Sequence, residues 1–497
     1  MSSLKKQLTV SIIAPDLQKH RQWLTVLRSA VHNSNPRGPF LTYDQRTWLM
    51  NKLNSLDDLA DVNEHKLVAY RVLLKSLSNE DQDGQSEKDP KTPVLLILGK
   101  NNFYIIPSNL KNDGTPSEDN RKSNDFKISS AKNSNLIKEI DFWKYKYPLL
   151  CITDIRSNSI DDTLLINFKN NSSKRTIIIS SLLSDHINNE FKSVIDSITF
   201  WWATPSYKSN PTTPISPDSS LTSPTGKMSQ ETGVERMIEA QCHVLNIPKS
   251  RISFQIEYVL GSQNVQLGLG VDNLPFRFVL LPPKDEKNQV YTTNELMAIF
   301  NSLKNHPLLS EIILSNINLF ELQIQQSSSG CNMLATVLHD LIISSSSLKT
   351  LNLSSCGITS ETISAIGNAL FTGKAGLERL ILSDSSITRD SAQTLANGIK
   401  NHTTSIKELD ISNCKLNFDG LVSILQSLGS KQPKDLESLN ISNNICDIDE
   451  NILIDLLSKS INLRSLYFRN CLKFFIGTKP IISLETLGET RLTTLDI

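Results

Sequence analysis

A frame of three apolar residues, L-x-x-L-x-L, recurs through the last third of the chain and restricts the fold more than any other feature. It starts at Leu348, Leu377, Ile406, Leu436, Leu463 and Leu492, at steps of 29, 29, 30, 27 and 29 residues. A looser copy begins at Leu309, with Ile312 and Leu314. In Leu348-Lys349-Thr350-Leu351-Asn352-Leu353 the apolar residues alternate, as in a short strand with one buried face. Three residues past the last of them comes a small side chain: Cys356, Ser385, Cys414, Asn444 or Cys471. Such groups fit a tight inner turn and can satisfy loop backbone atoms. A helical half follows, with Ile363, Ile366 and Leu370 in one copy and Ala392, Leu395 and Ile399 in the next. No unit of about 28 residues can bury its own apolar face, so the copies must stack into one continuous core.

These units read as leucine-rich repeats over residues 306–497. A full helix per repeat implies an α/β horseshoe, with parallel strands on the concave face and helices outside. Residues between the core positions then form outward columns. The candidates for holding a protein partner are Arg379, Glu408, Asp410, Asn440, Tyr467 and Arg469, because tyrosine and arginine carry much of the energy at such faces. The last copy stops at its strand. Open ends of stacked repeats are normally capped, so either the chain is a fragment or something else covers that end.

Ahead of the repeats the composition changes several times. Residues 15–33 and 57–77 carry apolar residues at helical spacing, which suggests a helical segment over 1–78. Residues 79–93 read as a polar linker. Residues 94–202 hold short β-rich runs at Val94–Leu98, Phe103–Ile106, Pro148–Ile155, Leu164–Phe168 and Thr176–Ser180, with a disordered polar insertion over 107–136. An amphipathic helix follows, carrying Ile187, Phe191, Ile195 and Ile198 and ending near Trp201 and Trp202. Several strands closed by one such helix is the plan of a pleckstrin-homology (PH) domain. The expected fold is therefore multidomain: a PH-like β-barrel plus helix, then the repeat horseshoe. Residues 203–232 are too rich in Ser, Thr and Pro to form a core. Thr213, Ser216 and Ser223, each before a proline, are candidate phosphosites there. Residues 233–305 read as the N-terminal cap of the repeats, with β-like runs at Ile252–Leu260 and Val265–Leu269. Thr292 and Glu295 there form a helix-opening capping box.

The chemistry points to binding and not to catalysis. There is no phosphate-binding Gly-x-x-x-x-Gly-Lys-Ser/Thr loop, and Gly268-Leu269-Gly270 stands alone. His339-Asp340 reads as a surface pair. The seven cysteines lack C-x-x-C spacing, so neither a metal site nor a disulfide framework is expected, in keeping with a reducing cytosol. No cofactor is implied. Lys+Arg and Asp+Glu both number 51, which leaves no net charge to favour nucleic acid. Anionic membrane lipid needs local basic residues, and Lys100, Lys144 and Lys146 are the candidates in the PH-like region.

The order of parts resembles the N-terminal half of the CARMIL family, PH-plus-leucine-rich-repeat regulators of cortical actin. The resemblance rests on Val94-Leu-Leu-Ile-Leu-Gly99 with Phe103-Tyr-Ile-Ile106, the helix ending Phe200-Trp-Trp202, the stretch from Val234 to Leu303, and the repeats. That family's tail motif for actin capping protein has no counterpart in this sequence. What the resemblance implies is a cytoplasmic scaffold recruited to the plasma membrane or cell cortex, which presents its repeats to actin-assembly regulators. The alternative is a soluble leucine-rich-repeat regulator of small GTPase signalling.

Overall fold

The structure, a computed structural model of the chain, describes residues 43–56, 68–79, 92–107, 146–158, 160–170, 173–200, 202, 233–259, 275–285, 289–326, 332–372, 374–431, 435–444, 450–471, 475–476, 479–480, 488 and 490–496. These fall into two compact units, one built from residues 1–199 with 204–221 and the other from 200–203 with 222–497.

The first unit is a seven-stranded antiparallel sheet with a helix on each side. Helix α1 (Tyr43–Ser55) precedes β1 (Val68–Asn79), β2 (Thr92–Leu98), β3 (Asn102–Pro107), β4 (Lys146–Pro148), β5 (Ile152–Asn158), β6 (Thr163–Asn170) and β7 (Ser173–Ser180), and α2 (Ser184–Thr199) follows. The strand order is β4-β3-β2-β1-β7-β6-β5. The two edge strands are consecutive in the chain, joined by the 3-10 turn Leu149–Cys151. Helix α2 buries Ile187, Phe191, Ile195 and Ile198, a stripe at helical spacing. Phe191 meets the Phe103 ring at 5.2 Å, and Phe103 stacks on Tyr147 at 5.1 Å. On the other face, Leu49 and Leu53 of α1 pack with Ala69, Ile97, Tyr104 and Ile106. Neighbours Phe103 and Tyr104 thus serve opposite cores, and β3 is buried on both sides. That explains why Val94–Leu98 and Phe103–Ile106 are unbroken apolar runs instead of alternating ones.

Three expectations are corrected here. The stretch read as a helix over 57–77 is a strand from Val68 onward, and it pairs with both β2 and β7 at the centre of the sheet. Val68, Ala69 and Tyr70 are buried in succession, so the residues show no period of two, and apolar spacing alone could not separate strand from helix. The linker read over 79–93 connects two partners of one sheet, since Asn79 ends β1 and Thr92 opens β2. Trp202 lies beyond the end of α2 and belongs to the second unit. There its indole Nε1 donates to the Lys304 carbonyl at 2.9 Å and its ring meets the His306 ring edge-on. The insertion beyond Pro107, the helix read over 15–33 and the Ser/Pro stretch 203–232 lie outside the described residues.

The second unit opens with α3 (Val234–Leu245), β8 (Phe254–Tyr258), β9 (Phe276–Leu280) and α4 (Thr293–Leu303). The β-like run read at Val265–Leu269 lies outside the described residues, and β8 pairs antiparallel with β9. From β9 onward the pairing is parallel. It runs through β10 (Leu309–Ile313), β11 (Thr350–Asn352), β12 (Arg379–Ile381), β13 (Glu408–Asp410), β14 (Ser438–Asn440) and β15 (Ser465–Tyr467). After a two-residue hairpin, β16 (Phe475–Ile476) and β17 (Lys479–Pro480), the strand β18 (Thr494–Asp496) completes a nine-stranded sheet. Helices alternate with these strands: α5 (Phe320–Ile324), α6 (Met333–Ser344), α7 (Ser360–Phe371), α8 (Arg389–Asn401), α9 (Phe418–Lys431) and α10 (Glu450–Lys459). The step of 39 residues from Leu309 to Leu348 accommodates the extra helix α5.

One core runs the length of the unit, and Leu351, Leu380, Leu409, Leu439 and Leu466 are fully buried in it. The small turn residues do what their chemistry suggests. The Sγ atoms of Cys356, Cys414 and Cys471 donate to the carbonyls of Leu314, Leu382 and Ile441 at 2.9, 3.2 and 2.7 Å. Asn444 Nδ2 donates to the carbonyls of Ile411 and Ile441 (2.9 and 2.8 Å). Its Oδ1 accepts from the Cys414 and Leu416 amides, both at 3.1 Å. Helices α7 and α8 touch through glycine. A Cβ on Gly398 would lie 2.2 Å from the Gly367 carbonyl oxygen.

Candidate binding faces

The parallel register decides which outward residues share a row. Glu257, Arg277, Glu311, Thr350, Arg379, Glu408, Ser438, Ser465 and Thr494 lie side by side, one per strand from β8 to β18. The first half of this row is an ion-pair ladder. Arg277 Nε donates to Glu311, and its Nη1 lies 3.3 Å from Glu257. Arg379 reaches past Thr350 to Glu311 at 3.7 Å and touches Glu408 at 3.8 Å. Glu311 is the keystone, with its side chain only 8% exposed between two arginines. A carboxylate that buried needs such partners. Its hydrogen bond raises the Arg277 pKa further.

The next row reads Ile313, Asn352, Ile381, Asp410, Asn440, Tyr467 and Asp496. Asp410 accepts from the Ser412 amide and hydroxyl at 2.9 and 2.7 Å, and from Asn440 Nδ2 at 3.0 Å. Arg469 clasps Asp496 through Nε at 3.1 Å and Nη2 at 2.7 Å. The six residues expected to hold a partner therefore share one sheet face in two groups. Arg379 and Glu408 are tied into the ladder, and Asp410, Asn440, Tyr467 and Arg469 stand beside it.

Two further ladders were not anticipated. At the turns, Asn316, Ser355, Asp384, Asn413, Asn443 and Asn470 all have positive φ, a conformation that Asn and Asp tolerate better than most residues. Ser355 and Asn413 hydrogen-bond the Asp384 carboxylate and hold its pKa below the usual value. The signal was present as an Asn, Asp or Ser just before each small turn residue. On the residue ahead of each strand, Lys349, Glu378, Lys407, Glu437 and Arg464 alternate in sign. Lys407 Nζ lies 2.7 Å and Lys349 Nζ 3.4 Å from Glu378. Burial disfavours the Glu378 carboxylate, but those lysines outweigh it and its pKa falls below the ordinary value. The repeat thiols are the opposite case. Burial pushes Cys356 and Cys414 up to about 12, so they remain protonated.

In the first unit, Lys100 occupies the β2–β3 turn and Lys146 stands opposite Tyr104 on β4. Both are half-buried. Lys144 and the candidate phosphosites Thr213, Ser216 and Ser223 lie outside the described residues. A second basic group sits at the β6–β7 hairpin, where Lys169 pairs directly with Lys174, and Arg175 lies opposite both Phe168 and Asn79. It is at the Asn79 end of β1, whereas Lys100 is at the Val68 end. The charges therefore do not gather at one end. Lysines on either side of the polar run Asn170-Asn171-Ser172-Ser173 in the sequence were the signal for the second group. No described helix is long and apolar enough to cross a membrane, and no group of metal-binding side chains occurs among the described residues.

A family model described as the second PH domain in LRR-containing protein matches residues 47–222. The chain thus carries a PH domain of a kind found beside leucine-rich repeats. The match begins within α1 and takes in β1, so it extends over the strand that apolar spacing had suggested was helical. No curated protein matches the chain.

Proposed function

We propose that this chain is a non-enzymatic adaptor, with a PH-like barrel that meets anionic lipid and a leucine-rich-repeat horseshoe that holds a protein partner. The observation that carries the reading is the co-occurrence of the PH-family match over 47–222 with an open, register-aligned sheet face in the second unit. In this reading the first part is an address and the second a grip. The resemblance to the CARMIL family supports actin-assembly regulators as the cargo, and the cytoplasmic face of the plasma membrane or cell cortex as the place.

The test has two arms. Full-length chain is sedimented with liposomes with and without phosphoinositide, alongside a Lys100→Glu, Lys144→Glu, Lys146→Glu variant and a Lys169→Glu, Lys174→Glu variant. Binding that one variant loses identifies the lipid-facing end, and no sedimentation of wild type at low salt sinks the lipid half. In cells, wild type should concentrate at the cortex. GTP hydrolysis by small GTPases should be unaffected by added chain, and acceleration would favour the GTPase-regulator reading.

A further inference from the structure

The ladder on the open face stops one position early. Across β8 to β13 the outward row reads Glu257, Arg277, Glu311, Thr350, Arg379, Glu408, with each arginine set between carboxylates. Glu311 has an arginine on each side, but Glu408 has one only on the β12 side; on its other side, at β14, Ser438 stands, with Ser465 and Thr494 beyond it. Strand β13 also carries a second outward acid. Among the described residues the three hydrogen bonds to Asp410 come from uncharged donors, Ser412 and Asn440, and no cation pairs with it. On the far side of the gap, Tyr467 faces outward from β15 between Asn440 and Asp496. Adjacent strands lie about 4.8 Å apart. A group resting over Ser438 and Asn440 is therefore one strand from Glu408 and Asp410 and one strand from the Tyr467 ring.

We infer that this gap receives a lysine or arginine from a basic segment of the protein partner, which completes the ladder in trans. The inference rests on the reading that the open face binds protein, and it narrows that partner to a basic one. Glu408 and Asp410 supply the charge, and the Tyr467 ring supplies a face to which a cation is attracted. The chain itself shows that a guanidinium suits the strand-to-strand spacing on this face, since Arg379 on β12 reaches Glu408 on β13 at 3.8 Å.

The experiment titrates the full chain with labelled oligo-arginine and oligo-glutamate peptides at physiological salt. Wild type should bind oligo-arginine in clear preference. A Glu408→Gln, Asp410→Asn variant should lose about tenfold in affinity or more. Ser438→Arg supplies the missing cation in cis and should lose at least as much while keeping or raising the thermal midpoint, so a folding defect is not mistaken for the effect. Tyr467→Ala should lose about three- to tenfold. Equal oligo-arginine binding by Ser438→Arg and wild type, or preference for oligo-glutamate, overturns the inference. A photo-crosslinking residue at position 465 then separates it from the broader reading. A crosslinked partner segment without basic residues removes the basic-segment inference and keeps the open face as a binding face. A folded chain that crosslinks no protein counts against both.

Discussion

The two halves of the nine-stranded sheet have the same interior and different exteriors. Leu380 and Leu409 under the charged half are as completely buried as Leu439 and Leu466 under the neutral half. Outside, the first outward row carries Glu257, Arg277, Glu311, Arg379 and Glu408 on β8 to β13, broken only by Thr350, whereas on β14 to β18 the same row carries Ser438, Ser465 and Thr494. A repeat fixes what points inward, because the next repeat must fit it. It leaves the outward residues free, so one half can spend them on internal pairing and the other can offer them to a partner. The alternating row Lys349, Glu378, Lys407, Glu437, Arg464 crosses both halves. Slipping the stack by one repeat would oppose like charges there, which makes register the natural role of that row.

The contrast can be broken or sharpened in graded steps. Leu409→Ala and Leu439→Ala should each cost about 2–5 kcal/mol in urea unfolding. A large asymmetry between them would mean that the halves differ inside as well. Glu311→Gln should cost about 1–3 kcal/mol, because it leaves two half-buried arginines without their shared carboxylate. The matching change in the neutral half, Ser438→Ala, should stay within about 0.5 kcal/mol. Acidification gives a smaller effect with a defined sign. Glu378 and Asp384 have lowered pKa values in the fold, so the stability they contribute is present above their unfolded values near 4 and is lost as pH falls through the lower folded ones. Lys407→Met should flatten the loss that wild type shows between about pH 5 and pH 3. The smallest effect belongs to the exposed pair Arg469–Asp496, where Arg469→Ala should change stability by less than about 1 kcal/mol, an increment that added salt removes.

Much of this organisation was legible in the residues. The leucine frame located the repeat strands, and Cys356, Cys414, Asn444 and Cys471 could be assigned their place because only small or amide groups suit a buried turn. Thr292 and Glu295 signalled their helix start, and both halves of the capping box are formed. Strand β1 was not legible, since a strand covered on both faces loses the alternation that marks a strand. Helix α1 was equally silent, because among its described side chains Leu49 and Leu53 are the buried ones, in a mostly polar sequence. At the binding face the candidate residues could be named in advance, but not their division of labour. That Arg379 spans past Thr350 to Glu311, a residue 68 positions earlier in the chain, depends on strand pairing that no local pattern encodes.

The glycine seat between α7 and α8 bears on how interchangeable these units are. Gly398 rests on the Gly367 carbonyl, and a Cβ on Gly367 would in turn sit 2.7 Å from the Thr394 carbonyl oxygen. The two helices are cut to each other's backbone, although the leucine frame makes every unit look like a copy of the last. Excising the span from Leu377 to Ser405 would keep the leucine period intact and bring α7 against α9, which was never fitted to it. Whole-unit deletions or grafts at this point should therefore fail, and the array is best treated as an ordered sequence of parts, each keyed to its neighbour.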